Sequence, residues 1–260
     1  MIGQDRLVNK LKSYSIATLP HSILLLGEIG CGKHTLVNEL GKYFDVDVID
    51  ISESITLETL DDISNRPFPT FYIVDNSLIT ERHQNIILKS LEEPSSTVYI
   101  FVLSTTKNTL LDTIINRCVS YEFDAYTRDE LMRFLKDSSD CVLDVCTTPG
   151  QVLSMQVGDF ESLKNLCNTI VTKIDKANYA NTLTIANKIN FKDEYDKYDI
   201  NIFFNVLLLT IRDILSKSFD TQYVSMYNYV MSFKKRLKDS RLNKELFMEN
   251  FLTELWEFVR

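Results

Sequence analysis

Glycine and proline are scarce in this chain of 260 residues, which has 7 Gly and 5 Pro. That scarcity excludes a low-complexity linker and leaves little room for long irregular stretches. Long apolar runs are also missing, since even the run at 203–209 is far shorter than the roughly 20 residues of a membrane-spanning helix. The opening Met-Ile-Gly-Gln-Asp lacks the layout of a signal peptide. We therefore expect a cytoplasmic protein with no membrane segment.

Cysteine pairs and excess positive charge are absent as well. The five Cys are odd in number and irregularly spaced, with no CxxC and no paired His. This usage favours a reducing cytoplasm and gives no sign of structural zinc or disulfides. A net charge of −8 excludes a free-standing, nonspecific nucleic-acid binder, so any contact with DNA would be local or shared with other subunits.

Apolar residues make up 45% and charged residues 25% of the chain, as is usual for a folded protein. The first half alternates short apolar runs with amphipathic segments. It predicts helices at 34–44 and 80–92, and strands at 22–26, 46–51, 71–74, 98–103 and 119–123. Strands separated by helices indicate an α/β fold with a parallel sheet covered on both faces.

Strand-like segments stop after about residue 125. The pattern then predicts a helix at 128–136, a turn at 147–150 and helices from about 165 onward, including 201–217 and a last segment from Leu242. We therefore divide the chain into an α/β domain (1–125), a small helical domain (126–164) and a C-terminal helical domain (165–260).

A phosphate-binding loop is predicted between the first strand and the first of these helices. Gly27, Gly30, Gly32 and Lys33 fit the front of the pattern GxxxxGK. The glycines let backbone N–H groups point inward, the helix N-terminus adds partial positive charge, and the lysine reaches the β- and γ-phosphates. The alternative is a glycine-rich turn that binds nothing.

The residue after the lysine departs from that pattern. A Ser or Thr hydroxyl should stand there to hold Mg²⁺, but the residue is His34, and neutral imidazole is a poor ligand for a cation that prefers oxygen. Thr35 follows roughly 100° further round the helix, where it could contact a phosphate but not replace the missing hydroxyl. The pattern therefore predicts nucleotide binding with impaired hydrolysis.

The metal side of the site is predicted at the end of the strand at 71–74. Asp75 ends that strand as a Walker B Asp would, and it would hold Mg²⁺ through water. The next residue, usually a Glu that polarises the attacking water, is Asn76, which cannot accept a proton. The alternative is that Asp75 only caps a strand.

The order of these segments resembles the clamp-loader group of AAA+ proteins, and within it the delta-prime type. The similar motifs are IGQ at 2–4, LKSLEEP at 88–94, LSTT at 103–106, LLDTIINRC at 110–118 and LLLTIRDIL at 207–215. The resemblance implies that Ile2 and Gly3 lie beside adenine, that Thr106 is sensor 1, and that Arg117 is an arginine finger for a neighbouring subunit's ATP site. The alternative for Arg117 is a surface arginine that caps a helix.

The resemblance also implies an AAA+ core, a helical lid and a collar domain that joins subunits into a ring. The implied cofactors are ATP or ADP with Mg²⁺. The implied partners are other clamp-loader subunits, a sliding clamp, DNA polymerase and, through the assembly, primer-template DNA. A bacterial cell, or a phage that infects one, is the implied setting.

The chain departs from the family in three further places. The segment at 36–70 holds no Cys, so we expect no zinc module of the kind found in many bacterial relatives, and we expect no adenine contacts upstream of the motif at 2–4. Gln151 stands where a sensor 2 Arg often follows the Gly. The loss of that Arg, together with His34, Asn76 and the retained Arg117, favours a stator that completes a neighbour's site. The alternatives are an active clamp-loader motor subunit and an AAA+ helicase loader.

Overall fold

A computed structural model describes residues 2–135, 140–155, 157–173, 200–217, 220–238 and 244–259. The described residues form two compact units, one within 1–130 together with 148–150, the other within 131–147 and 151–260. The strands are β1 (Ser22–Leu26), β2 (Asp47–Asp50), β3 (Thr70–Asp75), β4 (Val98–Ser104) and β5 (Val119–Glu122). The helices are α1 (Asp5–Lys12), α2 (Lys33–Phe44), α3 (Leu57–Ser64), α4 (Glu81–Glu92), α5 (Asp112–Ile115), α6 (Arg128–Met132), α7 (Pro149–Ser154), α8 (Val157–Lys173), α9 (Ile200–Leu215), α10 (Thr221–Lys234) and α11 (Lys244–Val259).

The first unit is built on one five-stranded parallel sheet in the order β2-β3-β4-β1-β5. Neighbouring residues of β1 belong to different cores, with Leu25 on one face and Leu24 on the other. Helices α1 and α2 cover the first face through side chains such as Leu11 and Leu40, while α4 covers the second through Ile87. Burial on both faces explains why the central strands are continuous apolar runs. The predicted α/β fold with a parallel sheet is confirmed.

The second unit is helical. Helix α9 packs against α8 and α10, and α10 packs against α11. Phenylalanine rings fill much of its core. The ring of Phe204 lies 4.8 Å from that of Phe251 and also contacts Phe233 and Phe247. The predicted helical C-terminal region is therefore present in the described residues.

Several predicted boundaries differ from the structure. The helix expected at 128–136 ends at Met132, because the amides of Phe134 and Leu135 bond to carbonyls three residues back, and Lys136 lies outside the described residues. Pro149 and Gly150 begin α7 rather than a turn, which suits proline because the first helical turn needs no N–H from it. Leu242 also lies outside the described residues.

Helices α1 and α3 were not predicted, and α8 begins at Val157 rather than near residue 165. Helix α8 crosses the proposed boundary between residues 164 and 165, and the three-domain division remains a prediction. None of the helices in the described ranges is long and apolar enough to span a membrane.

Candidate functional site

The loop after β1, the predicted phosphate-binding loop, turns through two glycines with positive φ. Its first amide, on Gly27, donates to the carbonyl of Ser104 at the end of β4, at a distance of 3.1 Å. Gly30 and Gly32 have φ of 79° and 100°, a region that side chains with a Cβ rarely adopt. Gly32 is the N-cap of α2, so the loop runs directly into a helix N-terminus. Gly30 and Gly32 therefore occupy backbone conformations that favour glycine, and the role of the loop remains a prediction.

The lysine of the loop lies over the loop's own backbone. Lys33 is buried, and its Nζ donates to the carbonyls of Gly27 at 2.7 Å and Glu28 at 3.0 Å. Phosphate oxygens arriving at the loop would compete with these carbonyls for the ammonium group. Thr35 is exposed on the first turn of α2.

The predicted adenine motif is joined to the loop through Tyr126. Gln4 is 1% exposed and exchanges two hydrogen bonds with the backbone of Asp124, at 2.8 and 3.0 Å. A Cβ on Gly3 would lie 2.8 Å from the Tyr126 ring, and the Tyr126 hydroxyl donates to the carbonyl of Cys31 over 2.7 Å. Burial raises the pKa of Tyr126 to about 12, so the donor keeps its proton at neutral pH. Nothing in the sequence pattern indicated a role for this tyrosine.

His34 lies between two carboxylates at the ends of adjacent strands. Its Nε2 is 3.4 Å from Oδ2 of Asp50, which ends β2, and 3.7 Å from Oδ2 of Asp75, which ends β3. The other oxygen of Asp75 accepts from the amide and hydroxyl of Ser77, at 2.9 and 2.7 Å. Asp50 was not predicted, although its place at a strand end beside β3 could have indicated it.

The side chains of His34, Asp50 and Asp75 are poorly suited to binding Mg²⁺. The ion requires near-octahedral oxygen ligation, yet the hydroxyl at position 34 is replaced by a ring nitrogen that already faces Asp75. Within the described ranges, no group of three or more His, Cys, Asp or Glu side chains is arranged to hold a metal ion.

Asn76 is fixed by a network of polar side chains rather than open to a substrate. Its amide nitrogen donates to Thr109 Oγ1 at 2.7 Å and to Ser104 Oγ at 3.3 Å, and its oxygen accepts from Gln84 at 2.9 Å. Gln84 is buried on α4 and also accepts from the amide of Leu111. The sequence did not indicate this network, which joins four separate segments.

The predicted sensor residues have local partners. The hydroxyl oxygen of Thr106 accepts from the amide of Asn108 at 3.2 Å and caps the 3₁₀ helix Lys107–Thr109. Gln151 is buried, and its side-chain oxygen accepts from the amide and hydroxyl of Thr147.

Arg117 lies at the C-terminal end of α5, where its side chain is about one-third exposed. It donates to the carbonyl of Thr113 at 2.9 Å and pairs with Glu92 at 2.6 Å. The helix-capping alternative thus describes its contacts within this chain, and those contacts leave the guanidinium at the surface.

The segment at 148–150, which groups with the first unit, packs on the tip of the loop. The Thr148 hydroxyl donates to the carbonyl of Ile29 at 3.0 Å, and the Gly150 amide donates to the carbonyl of Gly30 at 2.9 Å. A Cβ on Gly150 would lie 2.7 Å from the Cα of Gly30, so the two backbones are in direct contact. The sequence pattern places Gly150 in a turn and beside the sensor 2 position, and it does not indicate this contact.

Sequence comparisons match this chain to subunits of DNA polymerase III. The family model described as DNA polymerase III, delta subunit, matches residues 47–127. The chain is 26% identical to the DNA polymerase III subunit gamma of Buchnera aphidicola subsp. Acyrthosiphon pisum, across 52% of this chain and 47% of that protein. It is 24% identical to the DNA polymerase III subunit delta' of Escherichia coli K12, across 72% of this chain and 61% of that protein. The chain thus spans about half the length of the first of these relatives and about three fifths of the other.

Among solved structures, a DNA polymerase III gamma subunit-related protein from Thermotoga maritima superposes with a TM-score of 0.52. The two share 20% identity over 99% of this chain and 100% of that one, which establishes a common fold. The motif order from residue 88 to 118 and the matched relatives point in the same direction. The chain resembles clamp-loader-type subunits of DNA polymerase III.

Proposed function

We propose that the chain is a delta-prime-like stator of a clamp loader, which helps to load a sliding clamp onto primer-template DNA in a bacterial cytoplasm. It would assemble with other clamp-loader subunits and with DNA polymerase, supply Arg117 to a neighbour's ATP site, and bind ATP or ADP at its own loop without hydrolysing it. The names of the relatives, DNA polymerase III subunits gamma and delta', support the assembly. The division into a nucleotide-binding core (1–125), a lid (126–164) and a collar (165–260) is part of this proposal.

The main support for the stator proposal is that the side chain of Asn76 is already hydrogen-bonded within the protein. A catalytic Glu at this position must face the attacking water with an unpaired oxygen, but the Asn76 amide bonds to Ser104, Thr109 and Gln84. An amide also has no basic oxygen to take a proton. The neutral Gln151 at the sensor 2 position and His34 beside Asp75 add to the same conclusion.

Donation of Arg117 to a neighbour is supported by its exposure and by the contacts that hold it. Among the described residues, its partners are one carbonyl and one half-exposed carboxylate, both of which it could exchange for a phosphate. An arginine supplied in trans stabilises charge on the transferred phosphoryl group and is worth about 10³ to 10⁵ in rate.

The first test is to recover the tagged chain from its own cells and to identify its partners by mass spectrometry. Other clamp-loader subunits are expected, and the ATPase of the recovered assembly should then fall at least 100-fold with Arg117→Ala. Arg66→Ala, which removes an exposed arginine of the same unit, should leave that ATPase unchanged. Equal rates for the two variants would remove the finger from the proposal.

An active motor subunit is the second candidate, favoured by the match to a gamma subunit. A motor should hydrolyse ATP when it is assembled with copies of itself and should lose that activity with Lys33→Ala. A stator alone should show no activity that this change abolishes. Recovery of a replicative helicase, or of the chain alone as an ATP-dependent oligomer, would instead favour a helicase loader.

A further inference from the structure

The carbonyl groups of the phosphate loop are all occupied in this structure. Those of Gly27 and Glu28 accept from the Lys33 ammonium, and the carbonyl of Gly32 accepts from the amide of Leu36 within α2. The remaining three carbonyls, on Ile29, Gly30 and Cys31, accept from residues about 95 to 120 positions further along the chain. These distant donors are Thr148, Gly150 and Tyr126.

We propose that Tyr126, Thr148 and Gly150 form an outer brace that holds the loop in its anion-binding shape before a nucleotide arrives. Each peptide unit carries its N–H and C=O on opposite sides, so fixing the carbonyls of Ile29 and Cys31 outward turns the amides of Gly30 and Gly32 inward. The Cys31 amide instead donates to the carbonyl of Glu28 at 3.2 Å, which closes the turn of the loop. Inward amides are what a phosphate group requires. The three residues are positioning residues, because they contact the loop and not the ligand. The inference rests on the proposed nucleotide binding at the loop.

The contact between Gly150 and Gly30 allows a test that distinguishes positioning of the loop from a general effect on stability. Gly150 lies in the first turn of α7 without a positive φ, so Ala is conformationally allowed there and should favour the helix. The added Cβ would nevertheless meet the backbone of Gly30, at 2.7 Å from its Cα and 3.1 Å from its oxygen. A stable helix with a displaced loop is therefore expected from Gly150→Ala.

The experiment compares the full chain with Tyr126→Phe, Thr148→Val and Gly150→Ala. Two quantities are measured: the affinity for ADP by calorimetry, and the hydrogen-exchange rates of amides 28–33. Loss of one hydrogen bond should weaken ADP binding about five-fold for Tyr126→Phe and Thr148→Val, and Gly150→Ala should weaken it more. All three should speed loop exchange in the absence of ADP.

Tyr121→Phe is the matched control, because it removes a phenol of the same unit that donates to Tyr14 at 3.3 Å. It should change neither quantity. Loop exchange at the wild-type rate in all three brace variants would overturn the brace, and so would equal effects from the control. If the wild-type chain binds no ADP, the proposal that it binds nucleotide at its own loop is wrong. Faster loop exchange in the brace variants alone would still support the brace.

Discussion

Asn76 differs from the catalytic Glu of active relatives by more than its missing charge. Its amide nitrogen supplies two donors to the hydroxyls of Ser104 and Thr109, and a carboxylate at this place would have no donor to offer. Reintroducing Glu would therefore put an acceptor and a longer side chain into a satisfied polar network. The position is structural, and a single substitution is not expected to restore hydrolysis.

Asn76→Ala should lower the free energy of unfolding of the first unit by about 1–3 kcal/mol, because it removes three hydrogen bonds from a partly buried network. Urea denaturation measures this change. Asn85→Ala is the control, since Asn85 is exposed on α4 and its amide bonds only the local carbonyl of Glu81. That variant should stay within about 0.5 kcal/mol of the wild type. Equal losses would show that the network contributes little.

His34→Thr should make ADP binding depend on Mg²⁺. The wild-type site places a ring nitrogen against Asp75, so its ADP affinity should be the same with Mg²⁺ as with EDTA. A hydroxyl at position 34 restores an oxygen ligand and should give at least several-fold tighter binding with Mg²⁺. Titration calorimetry in the two buffers measures the ratio, with Asn38→Ala on the same helix as the control. A wild-type site that already requires Mg²⁺ would contradict this account.

The parts of the site that lie close together in sequence could be predicted from it. Gly27 to Lys33 form one contiguous pattern with fixed local geometry, and Asp75 directly ends an apolar strand. Tyr126 and Thr148 could not be predicted, because their partners lie 95 and 119 residues away and nothing in their local sequence marks them.

At the scale of elements, the strands were the most predictable. Burial on both sides makes β1, β3 and β4 continuous apolar runs, and their observed ends fall within one residue of the predicted ones. Helices α1 and α3 have eight residues each, about two turns, which is too short for a strong periodic signal even though Leu7 and Leu11 face one core. The early end of α6 follows from turn hydrogen bonding that composition does not reveal.

The packing of α2 on β2 depends on Gly41. A Cβ there would lie 2.3 Å from Cγ2 of Val48 and 3.0 Å from the carbonyl of Val46. Helix propensity alone predicts that Gly41→Ala stabilises the protein by up to about 1 kcal/mol. We expect the clash to prevail, with a net loss of about 1–2 kcal/mol in urea denaturation.

A double-mutant cycle checks the cause of that loss. Val48→Ala removes the methyl group nearest to the new Cβ, so Gly41→Ala should cost less in the Val48→Ala background than in the wild type. Additive effects of the two changes would show that the helix does not meet the strand at this point.

At the scale of the whole molecule, the fold alone does not decide between the proposed functions. The same α/β core would serve a motor, a stator or a helicase loader. The choice between these functions depends on a few polar positions. The residues around the chain's own loop are poorly suited to hydrolysis, and Arg117 lies at the surface, where it pairs with Glu92. Because the chain covers 47% of the gamma relative and 61% of the delta' relative, the assembly itself must be tested in the native complex.

Buried thiols and phenols in both units give the molecule one shared pH response. Burial raises the pKa of Cys118 and of Tyr126 to about 12, and it also raises the pKa values of Cys31, Tyr72, Tyr99, Tyr121, Cys167 and Tyr229. Ordinary values in the unfolded chain are about 8.5 for Cys and 10 for Tyr. Above those values the unfolded chain releases protons that the folded chain still holds, so stability must fall as pH rises.

We therefore expect the free energy of unfolding to be insensitive to these groups below about pH 8.5 and to decrease steadily from there toward pH 12. Urea denaturation at fixed ionic strength between pH 7 and 10.5 measures this slope. If the two units unfold separately, both transitions should move in the same direction, because Tyr126 lies in the first unit and Cys167 in the second. Cys118→Ala should reduce the slope of the first unit alone, since it removes one of that unit's proton-retaining groups. A stability that rises above pH 9 would mean that these side chains are solvated in the folded protein.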